Sequence, residues 1–413
     1  MAMGYRHTRA GGLLIGLALL GLVQAGAAQP DAAPAPKPTR PQQPAAAKAG
    51  TLEPAEVAIK SAALLLKMQE SLQADAPKAE WPYEGVYRVA RQIPIGYRVG
   101  GTAISALCLL RCPGYDDDAD RKQAVARAAA FVCEQKSHPL MSFETYDGGY
   151  DVRGWGHAYA LAFLVELKAR KAIPAEPAGL AEKIDSTIVW CIDALQKTEI
   201  PEAGGWNYAR PPGRETVAPA SPFMTGPALQ AMFAARAQGY AVDAAVVERA
   251  LAALERQRTV TGSFTYSGDA QKQRAPEPVP GAVGRMLVGE CTLMLAGRSD
   301  VARVRGALDA FLAHWDRLEE RRAQPGTHVP PFSVAPYYFY FAHYYAAQAI
   351  ELLPRGDRRE YRTRLSALLS RTRAEDGTWN DRIFPRSANY GTAVSTMALL
   401  MPETPEPARY APK

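Results

Sequence analysis

A ten-residue string, Gly101-Thr-Ala-Ile-Ser-Ala-Leu-Cys-Leu-Leu110, nearly recurs as Gly391-Thr-Ala-Val-Ser-Thr-Met-Ala-Leu-Leu400, an offset of 290 residues. Four weaker copies lie between them: Gly156-His-Ala-Tyr-Ala-Leu-Ala-Phe-Leu164, Gly226-Pro-Ala-Leu-Gln-Ala-Met-Phe233, Gly289-Glu-Cys-Thr-Leu-Met-Leu295 and Ala342-His-Tyr-Tyr-Ala-Ala-Gln-Ala-Ile350. Successive steps of 55, 70, 63, 53 and 49 residues leave room for a helix pair and a sizeable loop in each repeat. Each copy is apolar nearly all round, as expected of a helix buried on both sides. Between the copies, Asp120 to Gln135, Ala181 to Gln196, Asp243 to Arg256, Val301 to Glu319 and Arg358 to Arg371 carry apolar residues at helical spacing with charges on the opposite face. A Gly/aromatic turn precedes several copies: Trp81-Pro-Tyr-Glu-Gly85, Gly204-Gly-Trp-Asn-Tyr208, Gly262-Ser-Phe-Thr-Tyr266 and Asp376-Gly-Thr-Trp-Asn380. An open stack would leave inner helices with an exposed apolar face. The pattern therefore predicts an all-α chain closed into an α/α toroid, with six inner helices and about six outer ones. The inner helices should start near residues 100, 155, 225, 284, 338 and 390.

The unit of outer helix, Gly-Trp or Gly-Phe turn and inner helix resembles the prenyltransferase and squalene-oxidase repeat of terpenoid cyclases and protein prenyltransferases. More narrowly, Gly154-Trp-Gly-His-Ala-Tyr-Ala-Leu-Ala-Phe-Leu164, Gly204-Gly-Trp-Asn-Tyr208 and Phe341-Ala-His-Tyr-Tyr-Ala-Ala-Gln348 are similar to a set of exported bacterial proteins with these repeats and no assigned activity. The resemblance implies a fold and a location and brings no mechanism with it.

At the N-terminus, Arg6, His7 and Arg9 precede the apolar run Gly11 to Val23 and the small-residue site Ala25-Gly26-Ala27. This reads as a signal peptide over residues 1–27, giving an exported, periplasmic or extracellular protein. The apolar run falls short of the roughly 20 residues that span a bilayer, so an integral membrane protein is not expected. Residues 28–50 collapse to Ala, Pro, Gln and Lys and read as a disordered linker. The toroid should occupy 51–402, with 403–413 a flexible tail. The formal charge of +6 is dispersed rather than gathered in a stripe, which argues against a nucleic-acid partner. The five cysteines, Cys108, Cys112, Cys133, Cys191 and Cys291, lack CxxC spacing and suggest no disulfide framework. One bridge, Cys108 with Cys133, would join consecutive helices if their faces met.

Of the chemistry-bearing strings, Tyr115-Asp-Asp-Asp-Ala-Asp120 loosely mimics a cyclase acid motif but reads better as an N-cap with an acidic first turn. The zinc triad of protein prenyltransferases would fall on Gly289, Cys291 and His343. With Gly289 at the expected Asp position, neither a metal nor a cofactor is expected. The second positions of the six inner motifs hold Thr102, His157, Pro227, Glu290, His343 and Thr392, sharing one level of a closed ring. His157 and His343 would then face each other across the mouth with Glu290 nearby, an acid/base grouping, and these three are the catalytic candidates. The plain alternative is that each histidine bonds a neighbouring turn. Arg153, Asp151, Trp155, Tyr159, Tyr340 and Tyr344 are the candidate ligand-binding residues, from the charged loop and aromatic load around repeats two and five. The leading expectation is a lipid-like or saccharide ligand in an aromatic central cavity. The alternatives are a polysaccharide lyase or hydrolase, an isoprenoid cyclase or transferase, and an envelope scaffold whose ring centre is filled and whose outer face meets a partner protein.

Overall fold

The computed structural model describes residues 52–411, apart from 145–148, 151, 211–212, 214 and 274–277. The proposed signal and linker, and Tyr146, Asp147 and Asp151, lie outside the described residues. Six helices form the inner ring: α2 (Ile95–Arg111), α4 (Arg153–Ala169), α6 (Pro222–Ala237), α8 (Val279–Leu295), α11 (Tyr338–Leu352) and α13 (Ala388–Leu399). Each packs on the next, and α13 packs back on α2, so the ring closes. Their starts fall within a turn or so of the sequence expectation. Pro94 before α2 and Pro222 at the first turn of α6 pre-set φ for helix entry, which places those starts a few residues early.

The outer layer is α1 (Pro54–Met68), α3 (Ala119–Glu134), α5 (Leu180–Lys197), α7 (Ala244–Gln257), α9 (Val301–Ala313) with the short α10 (Trp315–Glu319), and α12 (Arg355–Thr372). α3, α5, α7, α9 and α12 each pack on the inner helix that precedes them in the chain. α1, which the repeat pattern did not delimit, covers α13 and so supplies the sixth outer helix. Among the described residues the only strands are a two-residue antiparallel pair, Gly149–Tyr150 with Ala209–Arg210. The acidic string does cap a helix: the Asp118 carboxylate accepts the Arg121 amide at 2.9 Å at the start of α3. All five cysteines are buried free thiols. Cys108 lies 4.0 Å from Cys112, whereas Cys133 faces Thr187 and Cys191 on α5, so the two faces that a Cys108–Cys133 bridge needs do not meet.

The repeat motif has a mechanical explanation. The Trp81, Trp206 and Trp379 indoles donate to the Leu65, Leu195 and Leu369 carbonyls near the ends of α1, α5 and α12, at 2.7, 2.8 and 2.9 Å. The backbone amides of the same three tryptophans donate to hydroxyls on the inner helices, Thr102, Thr225 and Thr392, at 2.9, 3.0 and 3.2 Å. One aromatic turn thus satisfies an otherwise orphaned helix-end carbonyl and fastens outer to inner layer. The motif glycine makes room for it. A Cβ on Gly391 would sit 2.2 Å from the Trp379 carbonyl oxygen, and one on Gly101 2.5 Å from that of Trp81.

Candidate functional site

The ring is not filled along its whole axis. The inner helices run parallel, and a cavity of about 350 Å³ opens at their C-terminal ends, lined by α2, α4, α6, α11 and α13. Small and aliphatic side chains (Leu107, Ala158, Ala162, Ala231, Val394) make most of its wall, with Tyr159 from α4 and Tyr344 and Tyr345 from α11 among them. Its inner polar groups form two sets. Arg111 grips Glu166 through both carboxylate oxygens at 2.9 and 2.5 Å and reaches the Tyr344 hydroxyl at 3.4 Å. Burial alone would raise the Glu166 carboxyl, but Arg111 and Arg170 hold it below the ordinary range. Gln230 and Gln348 exchange amide hydrogen bonds at 2.9 Å in both directions, and Gln230 also reaches Thr292 at 2.9 Å. The C-terminal segment, set beyond the domain in the sequence reading, crosses this end: Thr404 to Ala408 line the cavity. The Tyr410 amide donates to the Leu295 carbonyl at 3.0 Å, and its ring stacks on Phe233 at 5.2 Å.

At the opposite end, where the inner helices begin, a smaller pocket of about 80 Å³ is walled by aromatic rings, among them Tyr83, Tyr97, Trp155, Tyr208 and Tyr337, with Arg382 at its edge. Phe341 and Tyr390 line both spaces. With Trp155 stacked edge-on against Tyr159 at 4.9 Å, they form an aromatic septum between them.

The predicted residues distribute unevenly over this geometry. Tyr159 and Tyr344 face the larger cavity and Trp155 the smaller pocket. His157, Glu290 and His343 do not come together. His157 is fully buried, donates from Nε2 to the Met141 carbonyl at 3.0 Å and packs edge-on against Trp190 of α5. His343 is fully buried too: its Nε2 accepts the Trp315 indole N–H at 2.8 Å, which leaves Nδ1–H to donate to the Phe339 carbonyl at 2.7 Å. Burial lowers both imidazoles to about 4, so both are neutral. Glu290 is clamped bidentately by Arg258 at 2.7 Å and accepts from Ser299 at 2.5 Å. These side chains fasten the outer layer, as the threonines of the other repeats do. Adjacent positions of a helix differ by about 100°, so a shared level fixed their height but not their facing. Tyr340 likewise turns outward, its hydroxyl 3.4 Å from the Thr372 carbonyl. Arg153 is buried and donates to the Ser142 carbonyl.

Sequence reasoning missed two groups. Arg111 stands one position past the first motif, and Glu166 on the next inner helix is its partner. Asp381 and Arg382 follow the last Gly/aromatic turn. Asp381 is fully buried, and burial pushes its carboxyl up to about 6 against the opposing pull of Arg382 and the Tyr340 amide.

No protein-family profile matches the chain, and no curated protein matches it in sequence. Solved structures do match its shape. The chain is similar to an inactive variant of the α-1,6-mannanase GH76A of Salegentibacter sp. HEL1_6, in complex with α-1,6-mannotriose, with TM-score 0.53, 11% identity, and 84% of this chain and 100% of that one covered. It is similar to the unsaturated glucuronyl hydrolase of Bacillus sp. GL1, with TM-score 0.55, 15% identity, and 84% and 97% covered. It is similar also to a D-mannose isomerase, with TM-score 0.51, 11% identity, and 84% and 96% covered. At these identities the likeness speaks for the fold, and with the closed ring of six inner helices it identifies the chain as an α/α toroid.

Proposed function

We propose that the chain is an exported toroid of the prenyltransferase/squalene-oxidase-repeat kind that binds a small lipid-like or saccharide ligand in its central cavity. The observation that carries this reading is the cavity of about 350 Å³ on the ring axis, whose wall is mostly aliphatic and aromatic with a few fixed polar groups. Ligand pockets combine such apolar walls with a few fixed polar groups. The scaffold reading expects a filled centre, so an open cavity supports a ligand in the ring. Tyr159 and Tyr344 are the proposed contacts, with the Gln230–Gln348 pair offering amides to a hydroxyl-bearing ligand. Among described residues no helix is long and apolar enough to cross a membrane.

The test is a thermal-shift and calorimetric screen with farnesol, palmitate and mannotriose. Ala231→Trp and Ala162→Trp, which place an indole in the cavity, should abolish the binding of any hit. Hits that bind both variants as tightly as wild type would move the site elsewhere, and no hit across the three probes would remove the reading.

A glycan hydrolase or lyase on the same barrel is the second reading. Two of the similar structures are sugar hydrolases, and Asp381, whose carboxyl burial pushes up to about 6, precedes Arg382 at the edge of the aromatic pocket. Release of reducing ends from mannan or a polyuronate, lost in Asp381→Asn, would favour it.

A further inference from the structure

Arg382 is 3% exposed, yet among the described residues its guanidinium forms no ion pair and its Nη1 has no hydrogen-bond partner. A buried charge is ordinarily paired, because desolvating an ion without a partner is costly. The neighbouring Asp381 attracts it only at longer range. The turn that carries Arg382 is fastened from both sides. Asn380 accepts the Arg382 amide at 2.9 Å and donates to the Phe384 carbonyl at 2.8 Å, and the Asp381 carbonyl accepts the Ala323 amide at 2.7 Å. Arg382 is therefore held at the edge of the smaller pocket, not left there by a loose loop.

Its surroundings suit one kind of guest. The phenols of Tyr83, Tyr97 and Tyr337 lie near enough to act on the guanidinium electrostatically, and its carbon stands 5.9 Å from the Tyr337 ring centroid. The N-terminal ends of the inner helices gather on this side, adding partial positive charge. We propose that this pocket is an oxyanion site, separate from the central cavity, in which Arg382 receives the acid group of a small ring-bearing acid such as an acidic saccharide. The planar guanidinium can give a carboxylate two parallel N–H donors, and the aromatic walls take the ring that bears it. The orphaned Nη1 is the donor such a ligand would satisfy.

Calorimetry at low salt with trigalacturonate, its methyl ester and inorganic phosphate tests the site. Trigalacturonate should bind wild type, compete with phosphate, and weaken at least tenfold in Arg382→Gln. The uncharged ester should bind wild type and Arg382→Gln alike. Arg382→Lys, which keeps the charge but not the fork, should fall between them, and it stands in if Arg382→Gln does not fold. Phosphate binding alone, lost in Arg382→Gln, would support the oxyanion site with a source other than a saccharide. The idea is overturned if acid and ester bind wild type equally, if a folded Arg382→Gln binds the acid unchanged, or if neither trigalacturonate nor phosphate binds wild type. Ala231→Trp should leave all these results untouched, which separates this site from the central cavity.

Discussion

Acidification from pH 7.5 to 4 should weaken the toroid chiefly through His157 and His343. Each imidazole falls from its usual 6.5 to about 4 because burial penalises the charged form. Between those values the unfolded chain binds the proton and the folded chain does not, so stability rises with pH across this window and is lost as pH falls through it. At 1.36 kcal/mol per unit, each histidine contributes up to about 3 kcal/mol of loss. Asp381 runs the other way. Its carboxyl lies near 6 in the fold against 3.8, so between those values it favours the folded state as pH falls, by up to about 3 kcal/mol. The net loss is about 3 kcal/mol, a large share of the roughly 5–15 kcal/mol that holds a domain together. His343 adds a steric reason, since a proton on Nε2 would point at the Trp315 indole N–H. Urea unfolding at pH 7.5, 5.5 and 4.0 reads this directly. His157→Gln and His343→Gln should each be less stable at pH 7.5 but lose about 3 kcal/mol less on acidification. If both variants keep the wild-type pH slope, the histidines are not the acid-sensitive groups and the argument fails.

Asp381→Asn should stabilise the protein by about 1–3 kcal/mol at pH 7.5, with the gain vanishing near pH 4 where the native carboxyl is protonated, as read by melting curves at the two pH values. Gly391→Ala should lower the melting temperature sharply because its Cβ meets the Trp379 carbonyl at 2.2 Å, whereas Gly306→Ala, which meets nothing within 4 Å on helix α9, should gain about 0.5–1 kcal/mol. Trp379→Phe should cost about 1–3 kcal/mol by leaving the Leu369 carbonyl without its donor, measured by urea titration. Ending the chain at Pro402 should uncover Phe233 and the larger cavity, seen as increased binding of an apolar dye with the helical circular dichroism retained.

The ring was legible because its signals are local and repeated. Small residues at Gly101 and Gly391 mark where inner-helix backbone must touch the preceding turn, and that contact recurs wherever the motif does. Helix α1 escaped because no motif copy stands before it and its partner, α13, lies at the far end of the chain. The site was legible only in part for a different reason. Tyr159 and Tyr344 sit two and one positions beyond the histidines and face the cavity, while His157 and His343 face outward, and a helix turns far enough over one or two residues to separate the two fates. Arg382 carries no local signature, since what sets it apart is a buried guanidinium with no close counter-ion among the described residues, and that depends on side chains from several repeats converging on one mouth.

Helix α1 covering α13 also means that the domain has no intrinsic beginning. Leu52 and Pro54 share a groove with Leu399, Met401 and Pro402, so the stretch before α1 and the end of α13 are neighbours in space. A chain joined across that groove and cut instead in the exposed loop before α7 would keep every helix pairing while changing the order in which they are made. Folding speed, which follows how far apart contacting segments lie along the chain, would then shift even though the final architecture would not, because the longest closure, now between α13 and both α1 and α2, would pass to a different pair of helices.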